Sequence, residues 1–293
     1  MHRDLRRRAP GPGRTRPNRL DRLLTRSSLS RIIQATTGVT NRLEFLRALE
    51  LMVFDPETNG MVGERAHLHR ILENELWVFG EEYNLMASEI GLSAVLERHL
   101  HELDEPHTEH APVRRLDGTT GRLDLLLSAA ATEYDRNRHL VIELKAPKVV
   151  ASSKELTQIK SYAKALVADA RFASSRTVWD FWLVTSTMDQ DVRTETMQRG
   201  RPRGLVYEPD DPSSPGTTVR VWVKTWTDLL EEGKRRLEYF RANLQHNPSM
   251  DDARDYLATH HGDVVPEGLL RAQHDKVADD APALAGATEP VGP

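Results

Sequence analysis

The sequence predicts an α/β protein: a mixed sheet flanked by helices and preceded by a helical N-terminal segment. Three observations predict it. Residues 29 to about 105 carry apolar positions at helical spacing, with Leu43, Leu46, Leu49 and Met52 the clearest set. From about Val113 onward, short apolar runs alternate with helical stretches, as in a layered α/β fold. Two of those runs, 123–127 and 139–145, flank a polar stretch at 133–137 and read as a hairpin.

Each element has its own reason. Residues 1–28, rich in Arg, Pro and Gly, cannot bury enough apolar surface to fold alone. They are expected to form a disordered basic leader, with a phosphate-binding arm as the competing use. A helical region then spans 29–110. Its first helix is broken by Pro56 and Gly60, its second covers 62–76 with Ala66, Ile71 and Leu72 inward, and its third covers 92–103. Trp77, Val78, Phe79 and Gly80 form an apolar stop between the last two. The core follows at 111–250, with the helix at 62–76 contributing to it. Pro147 ends the second hairpin strand because it offers no N–H to a ladder. Ser152, with Glu155 three residues on, is a capping box, and Leu156, Ile159, Ala163 and Leu166 mark the face of the helix it opens. Residues 181–187 read as a buried strand. Val219, Val221 and Val223 alternate with Arg220, Trp222 and Lys224, a strand with one wet face. Asp228 opens a last long helix with Leu230, Leu237, Phe240 and Leu244 as its buried stripe. Residues 251–293 make a C-terminal extension that becomes a disordered tail from about Val277.

Composition narrows the chemistry. The chain has no cysteine, which excludes disulfides, thiolate metal sites and a cysteine nucleophile. Residues 1–31 hold ten arginines against Asp4 and Asp21, so the net charge of −4 leaves the remainder with about twelve surplus negative charges. An acidic body argues against coating nucleic acid with the whole surface, but local cationic clusters still displace counterions from phosphates. No apolar run approaches the roughly 20 residues that cross a bilayer. No apolar stretch follows the basic start as a secretion signal would require. A cytoplasmic protein with no membrane partner is the expectation.

The segment Val141-Ile142-Glu143-Leu144-Lys145-Ala146-Pro147 carries the chemical signal. Side chains alternate along a strand, so Glu143 and Lys145 share one face while Ile142 and Leu144 point to the other. Burying two ionisable groups in an apolar strand costs several kcal/mol unless they are paired or meet a metal. Asp124 lies 19 residues upstream in its own apolar run, and the midpoint between it and Glu143 falls in the polar turn. The hairpin therefore brings the two carboxylates together. Adjacent carboxylates repel unless a cation lies between them. Mg2+, or Mn2+ in its place, is the natural choice, being oxygen-seeking and held by one or two carboxylates with waters and substrate phosphate. That arrangement suits phosphodiester hydrolysis. Asp124 and Glu143 are the expected metal ligands, and Lys145 the electrostatic stabiliser and organiser of the nucleophile.

Further candidates surround this centre. Gln158 and Tyr162 are spaced i, i+4 and share a helix face that can look back at the hairpin. Lys148, Lys154, Lys160 and Lys164 form the densest lysine cluster of the chain and are candidate phosphate contacts, with a solvated helix face as the plainer explanation. Glu64 and Glu73 are candidates for a further carboxylate, Glu64 the better because it opens its helix. His67 with His69, and His99 with His101, are spaced i, i+2 and cannot face one metal together. His107 and His110 fall in a loop, and no zinc site is predicted. No glycine loop with its phosphate-binding lysine and no Gly-x-Ser-x-Gly elbow is present.

Gly-Arg-Leu-Asp at 121–124, Ile-Glu-Leu-Lys-Ala-Pro at 142–147, and then Gln158 and Tyr162 resemble the core of the PD-(D/E)xK nuclease superfamily. The Gln-x-x-x-Tyr pair resembles its RecB-like branch. The run from Glu64 through Ile71, Leu72, Trp77, Val78 and Phe79, together with 181–186 and 226–244, is similar to Shedu-type anti-phage nucleases and to C-terminal domains of histidine-kinase-type ATPases. The resemblance covers about residues 62–245. It implies a restriction-endonuclease-like fold, a Mg2+-dependent DNA endonuclease, a setting in antiviral defence, and Glu64 completing the site. Leu123 stands where the motif's proline would be. No ATPase domain precedes the core, which implies a stand-alone or truncated version.

Two other classes compete. One is a catalytically silent nuclease-like fold that binds nucleic acid or a partner protein. Intact Asp124, Glu143 and Lys145 favour catalysis over it, since a silent copy has no physical reason to keep charges in an apolar hairpin. A two-carboxylate glycoside hydrolase gives Lys145 no role and is disfavoured. DNA is the expected partner, and self-association into a homo-oligomer is left open.

Overall fold

The computed structural model describes residues 28–103, 111–115, 117–129, 137–173, 176–209 and 217–271. The leader (apart from Ser28), the hairpin turn up to residue 136, His107 and His110, and the tail from Val277 lie outside the described residues. The chain divides into two units at Arg42/Leu43, within the first helix.

Helix α1, Leu29–Phe54, buries Leu43, Phe45, Leu46, Leu49, Met52 and Val53 along its second half. After the break at 55–63, a π-helical turn, Glu64–His69, runs into one short α-helical turn, Arg70–Leu72, and a 3-10 turn, Leu76–Val78. The continuous helix expected over 62–76 is thus shorter and wound differently. Leu68 donates its amide to Gly63 at 3.2 Å, five residues back, and the Gly63 amide is taken by His67 Nδ1 at 2.7 Å. Such π-turns commonly re-aim a side chain at a functional site.

The expectation of an all-helical 29–110 misses a strand. β1, Tyr83–Gly91, pairs antiparallel with β2, Arg122–Ala129, across a bulge between Leu85 and Ala87. Helix α2, Leu92–Glu102, then follows close to its expected bounds. β2 and β3, Asn137–Leu144, form the expected antiparallel pair. After the two-residue β4, Val150–Ala151, helix α3, Ser153–Ala168, opens on the capping box of Ser152 and Glu155. A short helix, α4, Ala170–Ala173, leads to β5, Thr177–Thr185. β6, Thr187–Met188, helix α5, Gln190–Thr196, and β7, Leu205–Tyr207, precede β8, Thr218–Thr225. Helix α6, Trp226–Leu244, opens on a second capping box, Thr225 with Asp228. It is not the last helix: α7, Met250–His261, and α8, Glu267–Arg271, follow.

Six strands make one mixed sheet in the order β1-β2-β3-β5-β8-β7, with β3, β5 and β8 mutually parallel and the outer pairings antiparallel. One face, carrying Leu126, Val141, Phe181 and Val221, packs under α2 and α3. The long parallel crossover between β3 and β5 is what lays α3 over that face, and so over the strand ends that carry Asp124 and Glu143. The α6 stripe is corrected at its far end. Leu230 and Leu237 are buried with Trp226, Leu229 and Gly233, whereas Phe240 and Leu244 are exposed. No helix among the described residues is long and apolar enough to cross a membrane.

Candidate active site

The ladder between β2 and β3 pairs Leu126 with Val141 and Leu125 with Ile142. One further step along the same register brings Asp124 to Glu143, on the face shared by Leu126 and Val141. Both carboxylates and Lys145 are buried, at 4%, 4% and 8% exposure. Beyond the end of β3 the chain stays on the sheet because the Lys145 amide donates to the Val184 carbonyl at 2.9 Å.

The polar contacts converge on Glu143. Its Oε1 accepts from Lys145 Nζ at 2.8 Å and from Gln158 Nε2 at 2.8 Å. Gln158 Nε2 also reaches the Tyr162 hydroxyl at 3.3 Å, and that hydroxyl donates to the Arg122 carbonyl at 3.0 Å. Asp124 Oδ2 accepts from the Leu144 amide at 2.8 Å. Glu64, delivered by the π-helical turn, accepts from the Ala146 amide at 3.3 Å and stands 4.0 Å from Lys145 Nζ. Glu143 Oε2 is buried with no hydrogen-bond partner.

Electrostatics follow from burial. Burial first, and Asp124's charge second, push the Glu143 carboxyl up to about 7, against the pull of Lys145. Burial also raises Asp124, although the Leu144 amide and Lys145 oppose it. Glu64 is raised for the same reason, opposed by Lys145. Burial alone would lower Lys145, but Glu143, by charge and hydrogen bond, with Glu64 and Asp124, more than reverses it. The cluster holds more negative potential than its one ammonium offsets.

Of the residues expected from the sequence, Asp124, Glu143, Lys145, Glu64, Gln158 and Tyr162 are therefore brought together. Glu73 is not; it accepts a hydrogen bond from Ser88 instead. The lysines do not form one patch. Lys160 is paired with Glu195, and Lys164 lies 5.9 Å from the Tyr207 ring, both on the side of α3 away from Gln158. Lys148 lies against Gly60, and Lys154 alone of the four lines a cleft with Gln158 and Tyr162.

Sequence reasoning missed His69, and also Arg65 and Arg115, which line the same cleft as Lys154. His69, buried, sets its Nε2 2.9 Å from the Asp124 carbonyl and fixes the strand where the carboxylate emerges. Its only signal was an unexplained histidine on an apolar turn. Arg65 and Arg115 have no local pattern at all. His99 and His139 lie ring to ring, Nδ1 to Nε2 at 3.0 Å, in the core beneath α2. Among the described residues no three His, Asp or Glu side chains converge to hold a metal ion unaided.

Comparison with known proteins adds no relative: no family model, curated protein or solved structure matches the chain significantly.

Proposed function

We propose that this chain is a divalent-metal-dependent DNA endonuclease of PD-(D/E)xK type on a restriction-endonuclease-like fold, with Asp124, Glu143 and Lys145 at its centre. The observation that carries the proposal is the orphaned Glu143 Oε2, buried beside Asp124 and free to accept a ligand. A buried anionic oxygen with no partner is costly unless a cation comes to it. The donor set, all carboxylate oxygens, fits Mg2+ or Mn2+ and not a soft metal. Asp124 and Glu143 would hold the ion, with Glu64 near enough to the ammonium to join them through water. When bound, the ion lowers the pKa of a coordinated water and offsets charge on the reacting phosphate.

The chain's own groups do the remaining work. Gln158 fixes the rotamer of Glu143, and Tyr162 fixes Gln158 by anchoring it to the first strand of the hairpin. Lys145, kept fully protonated by its acidic neighbours, places a positive charge beside the carboxylates where it can hold a water or a phosphate oxygen. The resemblance to Shedu-type nucleases adds defence against phage as the setting.

A second reading has its own observation. The Lys145–Glu143 contact at 2.8 Å is a complete ion pair, which a catalytically silent nuclease-like fold, binding nucleic acid or a partner protein, could keep for structure. One experiment separates the two. Purified protein is incubated with plasmid and linear DNA in Mg2+, in Mn2+ and in chelator. Wild type should cleave only with metal, and Lys145→Ala and Asp124→Asn should each lose about 100-fold or more while circular dichroism stays unchanged. Variants that cut as well as wild type end the assignment.

A further inference from the structure

Helix α3 and the chain entering β2 enclose a cleft of about 490 Å³. Gln158, which donates to Glu143, and Tyr162, which accepts from Gln158, form one of its walls, so Gln158 joins the cleft to the carboxylate cluster. Four of its lining residues are cations, Arg65, Arg115, Arg122 and Lys154, against a single acid, Asp117. In a body with about twelve surplus negative charges, that concentration needs an explanation.

The four are not equivalent. Arg122 is committed to the Glu89 carboxylate and to the Glu89 carbonyl at 2.7 Å. Arg115 lies 5.4 Å from the Tyr162 ring, and its Nε is buried without a hydrogen bond, 3.8 Å from Asp117. The side chains of Arg65 and Lys154 are exposed and make no ion pair among the described residues. Arg65 follows Glu64 in the chain, and its charge acts on both Asp124 and Glu64. Thr157 adds a neutral hydroxyl to the lining, while the Ser161 hydroxyl, one turn on, already donates to the Gln158 carbonyl at 2.6 Å. Several cations lining one groove suit a ligand with successive phosphates, not a single anion.

We propose that Arg65, Arg115 and Lys154 form the subsite that grips one phosphodiester strand beside the ion that Asp124 and Glu143 would hold. The proposal rests on the nuclease reading and names where its substrate lies. It also moves the nucleic-acid contacts off the outer side of α3, where Lys160 is already paired with Glu195 and Lys164 is engaged with Tyr207.

Binding in chelator tests this without cleavage. Fluorescently labelled single-stranded DNA, duplex DNA and single-stranded RNA are titrated by anisotropy across a salt series, with polyglutamate as a polyanion control. Arg65→Gln, Arg115→Gln and Lys154→Gln should each reduce the slope of log affinity against log salt by about 0.7 to 0.9. Lys160→Gln, the same charge change on the same helix, should leave it unchanged. The DNA and RNA arms identify which strand the groove takes, and a slope loss with either supports it. Unaltered slopes in the cleft variants, an equal loss in Lys160→Gln, or polyglutamate binding as tightly as the oligonucleotides overturns the proposal. The two readings fail separately. Metal-dependent cleavage with unaltered slopes removes the groove and keeps the nuclease; altered slopes with no cleavage under any metal keep the groove and remove the nuclease.

Discussion

Glu143 ionises against its surroundings, and this has a measurable sign. Its carboxyl, at about 7 in the folded chain, lies above the roughly 4.3 of an unfolded glutamate. Its contribution to stability is therefore complete below that lower value and is lost as pH rises through 7. Asp124 and Glu64 shift in the same direction. The buried His99 and His139 act oppositely. Burial holds them at about 4 and about 3, with His99's charge adding to the depression of His139. Their contribution is complete above about 6.5, the ordinary histidine value, and is lost as pH falls toward 4. Thermal melts in chelator should climb as the histidines discharge toward pH 6.5, against the opposite slope of Glu143, and gain nothing on the alkaline limb above about pH 7. On the proposed metal-site reading, Mg2+ should lift the alkaline limb alone, because it would bind the ionised carboxylates and stabilise by mass action. Asp124→Asn should flatten that limb and remove most of the Mg2+ effect. A melting temperature that climbs steadily from pH 6 to 8.5 and ignores Mg2+ would contradict this account of the cluster.

At the scale of elements, the hairpin and α3 were legible because their signals are local. Alternation put Glu143 and Lys145 on one face, the polar stretch set the register, and Ser152 with Glu155 fixed where α3 begins. β1 was illegible. Tyr-Asn-Leu-Met-Ala-Ser-Glu-Ile-Gly has no clean alternation, and its strand conformation comes from pairing with β2 some forty residues away. The split of the lysines was present in the spacing. Lys160 and Lys164 sit four apart on one side of α3, about 200° around from Gln158 for Lys160, by 100° per residue. Counting charge along the chain concealed this. Gly121 gained a meaning only in three dimensions. A Cβ there would lie 1.8 Å from Tyr162 Cε1, so any side chain displaces the ring that anchors Gln158. Gly121→Ala should destabilise the fold by about 1–3 kcal/mol. On the proposed nuclease reading it should also slow cleavage at least tenfold; melting curves and initial rates on plasmid check the two effects. An unmoved melting temperature would mean that the ring gives way freely.

Across the whole molecule, the C-terminal helices are tied in through Glu75. Its Oε1 accepts from the Tyr256 hydroxyl at 2.6 Å and lies 3.2 Å from His261 Nε2, while its Oε2 accepts from Trp77 Nε1 at 2.7 Å. Burial works to raise this carboxyl, but those hydrogen bonds outweigh it and hold Glu75 below its ordinary value. Phe45 of α1 packs against Trp77 and Tyr256, with ring centroids 6.1 and 5.8 Å away. Three partners, more than 180 residues apart at the extreme, thus meet on one side chain that no sequence window connects. Glu75→Ala should cost about 3 kcal/mol by orphaning buried donors. Amide hydrogen exchange over Met250–His261 should accelerate well beyond that of the hairpin. Exchange that rises uniformly through the chain would show that Glu75 stabilises the fold globally and does not clasp α7 in particular.

The bulge in β1 reaches further than the pairing it interrupts. β1 forms one margin of the six-stranded sheet, and margins are where foreign strands can be templated. Between Leu85 and Ala87 the spacing of its free amides and carbonyls slips, and at Glu89 the backbone turns to φ +49°, which an incoming straight strand cannot match. The opposite margin, β7, offers only three residues, Leu205–Tyr207. Both margins of the six-stranded sheet are thereby poor templates for an added strand.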